Sequence, residues 1–307
     1  MCYSALVRTE YKKFKRATHS SMSIKDFARI YIDRLVDKRI KTPKAMDAMF
    51  ADPQTPEERE VKALIDQFNA TEVTRLEQEL FKQRKRLADA ERTLATKTTK
   101  AATESQRVAT DKIEWAKGKL ADLRRTEPQD QDFRVFPGWY VPVMVSEGGQ
   151  RVIKPMRYQC RPAGKPGFYD TKFPGTYNAR RDSLRGFWKG QFGHTHGLMI
   201  VSRFYENVSR EGKNVVLEFN PRTSEDMLVA CLWSRWTAPG EPDLLSFAAI
   251  TDDPPAEVAA AGHDRCIIPI KPEYIDVWLN PDPNDLDALD DILDDRERPY
   301  YEHRMAA

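Results

Sequence analysis

Cys2 stands directly behind the initiator methionine. A methionine ahead of a small residue is usually clipped, and clipping here would leave an α-amine and a thiol on adjacent carbons. That pair is a 1,2-aminothiol, which neither an internal cysteine nor any other terminal residue offers. Isolated polar residues of catalytic type occur in three later stretches. "PGTYNARRDSL" holds Asn178, Arg180 and Arg181; "IVSRFYENV" holds Glu206 at the end of an apolar strand pattern; "AAGHDRCIIPI" holds His263 and Arg265 just ahead of a strand. Taken singly, each has an ordinary structural use. An asparagine in a turn bonds its own backbone, a strand-end glutamate is solvated, and a lone histidine packs. His194 and His196 in "GHTHG" have no carboxylate or cysteine nearby, so no metal site is assigned. No cofactor motif is present either.

These residues need elements to hold them, and the 307-residue chain has the length for one large domain or two modest ones. Residues 22–38 place Phe27, Ile30, Tyr31, Ile32 and Leu35 at helical spacing, which predicts an amphipathic helix. Between residues 56 and 126, Val73, Leu76, Leu80, Leu87, Ala90 and Leu94 step by three and four, with Gln83 in one seam position. Ala109, Ile113, Ala116, Leu120 and Leu123 repeat the step after the break "ATKTTKAATES". Two long helices folded back as an antiparallel coiled-coil hairpin are expected there. Beyond "RTEPQDQD", β-branched and alternating runs ("WYVPVMV", "GLMIVSRFY", "NVVLEF", "MLVACLW", "SFAAIT", "RCIIPI") alternate with Gly, Pro and Asp turns. "PDPNDLDALDDILDDRERP" reads as a short acidic helix closing the fold. The expected class is α+β: a twisted, mostly antiparallel sheet or open barrel flanked by helices, with the coiled coil inserted. The divisions are residues 1–55, the helical insertion 56–126, and the main domain 127–307.

Charge is unevenly spread. Residues 1–44 carry 12 Lys or Arg against 4 Asp or Glu, and residues 151–213 carry 13 against 4. Residues 276–298 carry 2 against 9, a local −7 that leaves the remainder at +9 within the overall +2. A basic body suits a polyanionic partner. Four widely spaced cysteines without a CxxC pair argue against a disulfide framework and against zinc, and for a reducing cytoplasm. No run approaches the ~20 apolar residues that span a bilayer, and no signal peptide is seen.

Four stretches, taken in chain order, resemble a known family. Met1-Cys2, Asn178-Ala179-Arg180, the strand "RFYEN" containing Glu206, and "HDRCIIPIKPEYIDVWLNP" containing His263 are similar to motifs of the SRAP family (SOS response-associated peptidase). Weaker similarities are "FPGWYVPVMV", "ACLWSRW" and "FAAITDD". The motifs cover residues 1–8 and about 133–281 and leave out the helical arm. Some positions differ. Tyr3 and Ser4 stand where the family commonly has Gly-Arg, Asn207 where it has tryptophan, and Cys266-Ile267 where it has Met-Pro.

The resemblance implies a protein that binds single-stranded DNA and crosslinks abasic sites through Cys2. The chemistry suits an aminothiol. The ring-opened abasic sugar is an aldehyde; the amine forms an imine with it, and the neighbouring thiol closes a thiazolidine. An α-amine with a pKa near ~8 is partly neutral at physiological pH, unlike a lysine near ~10.4. The cyclisation has a high effective molarity. Glu206 is the candidate for moving protons, His263 for protonating the sugar ring oxygen, and Asn178 for holding the amine or sugar. Arg180, Arg181 and Arg265 are the candidate phosphate contacts, and Phe204, Tyr205 or Trp139 candidates for stacking on bases. The family name adds a peptidase activity that would release Met1. The expected partner is abasic single-stranded DNA, bound by a cytoplasmic, nucleoid-associated monomer with no membrane or metal; the arm, outside the resemblance, is expected to serve stability or a protein partner. Two rivals are weighed. An N-terminal-nucleophile amidotransferase also starts Met-Cys, but its Gly-Ile and its Gly/Asp-rich substrate motifs are missing. An adaptor would work through its coiled coil alone.

Overall fold

The computed structural model describes residues 2–6 and 18–306, with residues 2 and 3 described through their backbone only. Met1 and its expected removal, and the basic residues Arg8, Lys12, Lys13, Lys15 and Arg16, lie outside the described residues. The chain divides into two units: residues up to 59 together with 129 onward, and residues 60–128.

The first unit contains the strands β1 (Cys2–Leu6), β2 (Ser21–Met22), β3 (Arg134–Val135), β4 (Tyr140–Glu147), β5 (Gln150–Tyr158), β6 (Asn178–Arg180) and β7 (His196–Val201). It continues with β8 (Arg203–Arg210), β9 (Lys213–Pro221), β10 (Met227–Trp236), β11 (Leu244–Asp252), β12 (Cys266–Ile267) and β13 (Tyr301–Met305). One sheet has the order β13-β9-β8-β1-β3; the other runs β12-β11-β10-β7-β4-β5-β2. A parallel pairing of β11 with β5 (Ser246 opposite Arg157, Phe247 opposite Tyr158) joins the two ends of β11-β10-β7-β4-β5. Those five strands therefore close into a barrel, which removes two sheet edges. The fold is α+β as expected, and the barrel is closed where a twisted sheet or an open barrel was expected.

Closure depends on β5, "QRVIKPMRY", a strand that the sequence pattern hides behind three basic residues and Pro155. Its ladder with β4 sets Pro155 opposite Pro142, so the two residues without an N–H share one position. "GLMIVSRFY" also differs from its reading. It is not one strand but two, β7 in the barrel and β8 in the other sheet, parted at Ser202, whose N–H donates to the Leu6 carbonyl. Inward residues of both sheets (Val141, Val143, Met199, Val201, Phe204, Phe219, Phe247) share one buried core.

The helix Ile24–Val36 buries Phe27, Ile30, Tyr31 and Arg34 on one face, Arg34 in an ion pair with Asp47 at 3.1 Å, and leaves Ile32, which helical spacing puts on the far side, exposed. The acidic helix Leu286–Asp294 is capped by the Asp285 side chain on Ala288 N–H and buries Leu289, Ile292 and Leu293. Its acids meet the basic region. Arg181 pairs with Asp294 at 2.7 Å and Asp252 at 3.3 Å, and Arg185 pairs with Asp290 at 2.7 Å and with Asp287. Arg151 pairs with Asp276, and Arg157 and Arg161 both pair with Asp170. Much of the charge asymmetry in the sequence is thus neutralised within the fold.

His196 is a core residue. It lies against Trp278 (centroids 4.1 Å apart) and Phe192 (5.6 Å), and its Nε2 accepts from Gly193 N–H at 2.9 Å. Burial lowers its pKa to about 3. The unfolded chain, with histidine near ~6.5, therefore binds a proton that the folded one does not. His196 contributes its full stability above about pH 6.5, and loses it as pH falls toward about 3, a term on the order of 5 kcal/mol. The melting temperature is expected to drop over that window more steeply in the wild type than in His196→Gln. Calorimetry at a series of pH values reads the difference, and equal slopes would contradict it.

The second unit is an antiparallel helical hairpin, with helices Pro56–Thr96 and Lys100–Arg124. Thr99 caps the second helix by accepting from Ala102 N–H. Arg86 to Ser105 (2.8 Å), Lys112 to Glu79 (4.0 Å) and Arg124 to Glu77 (2.6 Å) tie the helices. The buried seam is Leu76, Gln83 and Ala90 against Ala102, Ala109, Ile113, Ala116 and Leu120. Four alanines alternate in it with Leu76, Gln83, Ile113 and Leu120. Replacing residues 56–126 with a short Gly/Ser linker is expected to leave a cooperatively folding protein. A loss of the cooperative melt, followed by circular dichroism, would show that the first unit needs the hairpin.

Candidate active site

The N-terminal strand is an interior strand of the five-stranded sheet, between β8 and the edge strand β3. Its register sets Cys2 opposite Glu206, Ser4 opposite Tyr205 and Ala5 opposite Phe204. The shift between Cys2 and Ser4 is a β-bulge, a device that re-aims a strand end and is common beside active sites. Glu206 lies inside β8, not at its end, because the strand runs on to Arg210 in a hairpin with β9. Strand alternation puts Glu206 on the face of Phe204 and Val208, which are core residues. A carboxylate on that face is 0% exposed.

His263 reaches this carboxylate from a helix end. The helix Ala256–Ala260 stops in a double-bonded turn: Gly262 N–H donates to Ala259 C=O at 2.9 Å and His263 N–H to Val258 C=O at 3.3 Å. Gly262 has φ 99°, which only glycine adopts without strain, so the "AAGH" spelling ends the helix and delivers the imidazole. His263 Nε2 lies 3.2 Å from Glu206 Oε2, and both side chains are buried. Nδ1 meets the backbone of Arg265, with C=O at 2.9 Å and N–H at 3.3 Å. Burial holds His263 below its ordinary pKa, against the Arg265 carbonyl, which favours the charged form. The imidazole is thus neutral. When Nδ1 accepts from Arg265 N–H, Nε2–H donates to the carboxylate; when Nδ1–H donates to the carbonyl, the proton belongs on the carboxyl oxygen. The first arrangement holds one proton and the second two; in the second, the shared proton can pass between Oε2 and Nε2.

The remaining candidates are placed around β11. Arg265 precedes β12, which pairs with the end of β11 at Thr251 and Asp252. Its guanidinium is 3.5 Å from Asp264, and its Nε is buried without a partner. Asn178 and Arg180 form β6, which runs parallel to β11 at Ala249–Thr251. Asn178 is 7% exposed, and neither atom of its amide has a hydrogen-bond partner. Arg180 is exposed, 3.1 Å from Asp182. Arg181 is turned to Asp252 and Asp294 and does not join them.

Two stacking candidates are corrected. Phe204 is buried against Phe219 (5.0 Å, 8°), and Tyr205, 4% exposed, lies under the Arg134 guanidinium at 3.9 Å. Neither ring has a free face. Sequence reasoning also passed over Cys266. Its thiol is buried beside Glu206; burial first, and then the Glu206 charge, push its pKa far up. Burial likewise raises Cys231, and Cys160 to about 12. The three described free cysteines are therefore protonated thiols shut away from solvent. Among the described residues no three His, Cys, Asp or Glu side chains gather as a metal site, and no helix is long and apolar enough to cross a membrane.

The model of the family "SOS response associated peptidase (SRAP)" matches residues 90–306, more than half of the chain and including β4 to β13. The chain belongs to the SRAP family. Membership supports a peptidase-like function associated with the response to DNA damage. The match reaches back into the helical hairpin, beyond the motifs themselves, and does not include Cys2. Among solved structures, one protein from Bordetella bronchiseptica is 17% identical with a TM-score of 0.47, covering 60% of this chain and 90% of its own. A phage-related protein from the same organism is 17% identical at a TM-score of 0.44, covering 60% and 85%. A protein from Bacteroides thetaiotaomicron is 15% identical at 0.44, covering 48% and 67%. No curated protein matches the chain significantly.

Proposed function

We propose that this chain captures abasic sites in single-stranded DNA as a thiazolidine on Cys2. The observation that carries the reading is the register that sets Cys2 opposite Glu206, with His263 Nε2 3.2 Å from that carboxylate. Once Met1 is removed, the Cys2 amine adds to C1′ of the open sugar. Loss of one water gives the imine, and Cys2 Sγ then adds to the same carbon as its proton moves to the nitrogen. Glu206 takes a proton from the attacking amine and returns one to the departing hydroxyl, a role worth roughly 10²–10⁴ in rate. As the C1′–O4′ bond breaks, His263 passes a proton to the ring oxygen and Glu206 takes the proton that leaves the C1′ hydroxyl, which restores the pair.

Asn178 supports the same reading. A buried amide with no partner costs about 1–3 kcal/mol, a cost that a bound sugar or amine would offset. Arg180 and Arg265 are suited to flanking phosphates. The peptidase activity in the family name fits release of Met1 by the same acid–base pair. Intact mass spectrometry of the purified protein, alone and after incubation with an abasic oligonucleotide, tests both steps. The expected masses are those of the chain without Met1, and of that chain plus the oligonucleotide less one water. A protein that retains Met1 and still forms the adduct would overturn the mechanism.

A further inference from the structure

The face of the five-stranded sheet away from Glu206 holds a row of side chains that the acid–base pair does not use. Strand alternation turns Tyr205 to that face, opposite Glu218 on β9 and Ser4 on β1. Glu218 is buried and accepts from Asn220 at 2.9 Å, Arg304 at 3.0 Å and Arg203 at 3.1 Å. Arg203 also reaches Asp130 at 3.1 Å. The Arg134 guanidinium lies over the Tyr205 ring at 3.9 Å and over the Phe136 ring at 5.1 Å. Arg134 Nε donates to Ser4 Oγ at 3.0 Å, and Ser4 is 0% exposed. Arg304, Glu218, Tyr205, Ser4 and Arg134 come from β13, β9, β8, β1 and β3, so the row crosses all five strands.

We infer that Ser4 and Arg134 are positioning residues that hold the reactive end of the first strand opposite Glu206. The inference rests on the abasic-site reading, in which loss of Met1 makes Cys2 the first residue of β1, with no chain upstream to hold it. Chain ends are poorly ordered unless they are tied down. The register shifts between Cys2 and Ser4 and is regular from Ser4 to Leu6, so Ser4 is where the regular ladder begins. Its hydroxyl is bound from β3, and its cross-strand neighbour Tyr205 lies under the same guanidinium. The row therefore fixes the backbone two residues from the nucleophile. Ser4 and Tyr205 are buried on the face opposite the acid–base pair, so neither meets the sugar, and the effect is made through position alone.

Single-turnover adduct formation at saturating abasic oligonucleotide is followed by intact mass for the wild type, Ser4→Ala, Arg134→Ala and the double variant. Anisotropy gives the affinity for the oligonucleotide, and hydrogen exchange reports on the first strand. A misplacement of about 1 Å can cost about a hundredfold in rate. Each single variant is expected to react at least about tenfold more slowly, with full final yield and unchanged affinity. The double variant is expected to be no slower than the slower single one, since both changes remove one contact. Hydrogen exchange is expected to rise in β1 and to stay unchanged in β10 and β11. Ser4→Thr keeps the hydroxyl on a side chain suited to strands and is expected to restore the rate. A role in stability alone would lower the melting temperature and the final yield while the folded molecules react at the wild-type rate, and that result would overturn the proposal. Weaker affinity of Arg134→Ala at an unchanged saturated rate would make Arg134 a phosphate contact and overturn it as well. No adduct from the wild type, with faster exchange in β1 of the variants, would overturn the Cys2 chemistry and leave the row as the anchor of the strand.

Discussion

Cys2→Ala is expected to abolish the heat-stable protein–DNA adduct completely, and Cys2→Ser to leave only an imine that hydrolyses on heating. The three described cysteines provide no substitute. Cys160, Cys231 and Cys266 are buried thiols with raised pKa values, and the thiolate is the reactive form. A lysine amine can form an imine but has no thiol on the next carbon to close a ring. The serine variant separates the two steps, because it keeps the α-amine and replaces only the second nucleophile with a weaker one. Incubation with abasic oligonucleotide, heating and intact mass measurement read both variants. A heat-stable adduct of wild-type yield from Cys2→Ala would mean that another residue is the nucleophile.

Glu206→Gln is expected to slow adduct formation by roughly 10²–10⁴ while leaving DNA affinity unchanged. Glutamine keeps the volume, and its carbonyl can still accept from His263 Nε2–H, so the 3.2 Å contact survives. Only the capacity to take and return a proton is removed. Single-turnover rates at saturating DNA, with anisotropy for affinity, make the comparison. His263→Gln is expected to fall in the same direction, and the double variant no further than the slower single one, since both residues handle one proton. A Glu206→Gln protein that folds, binds and crosslinks at the wild-type rate would remove Glu206 from the mechanism.

The two partners of this pair are legible in the sequence for one reason: each is a polar residue set into an apolar run. Their contact is not legible, because it is made by a hairpin strand and a helix-terminal turn that meet only in three dimensions. "AAGH" contains the clue in Gly262, whose positive φ marks where the chain leaves the helix. The arm is read easily, since residues spaced three and four apart recur through both helices. β5 escapes because strand propensity is mostly a matter of what a residue packs against, and its ladder to β4 and β11 outweighs Pro155 and three basic side chains. The aromatic run in "RFYEN" misleads for the opposite reason. Phe204 and Tyr205 look available in sequence but are covered by Phe219 and Arg134. The basic stretch 151–213 likewise promises more free cations than it delivers, since the acidic stretch 276–298 takes up several of its arginines.

The first strand is made first and placed last. β1 has no local partner: Cys2 pairs with Glu206 and Ala5 with Val135, so its ladders wait for β3 and β8 to leave the ribosome. Chains emerge at roughly 5–20 residues per second, and such distant pairings form slowly. Through the first two thirds of synthesis the amino-terminal cysteine is present without Glu206, and His263 arrives later still. Reactivity at the terminus is thereby tied to completion of the chain. On the proposed mechanism, a copy truncated before Glu206 would lack the group that moves protons at Cys2, and such products are expected to form little adduct.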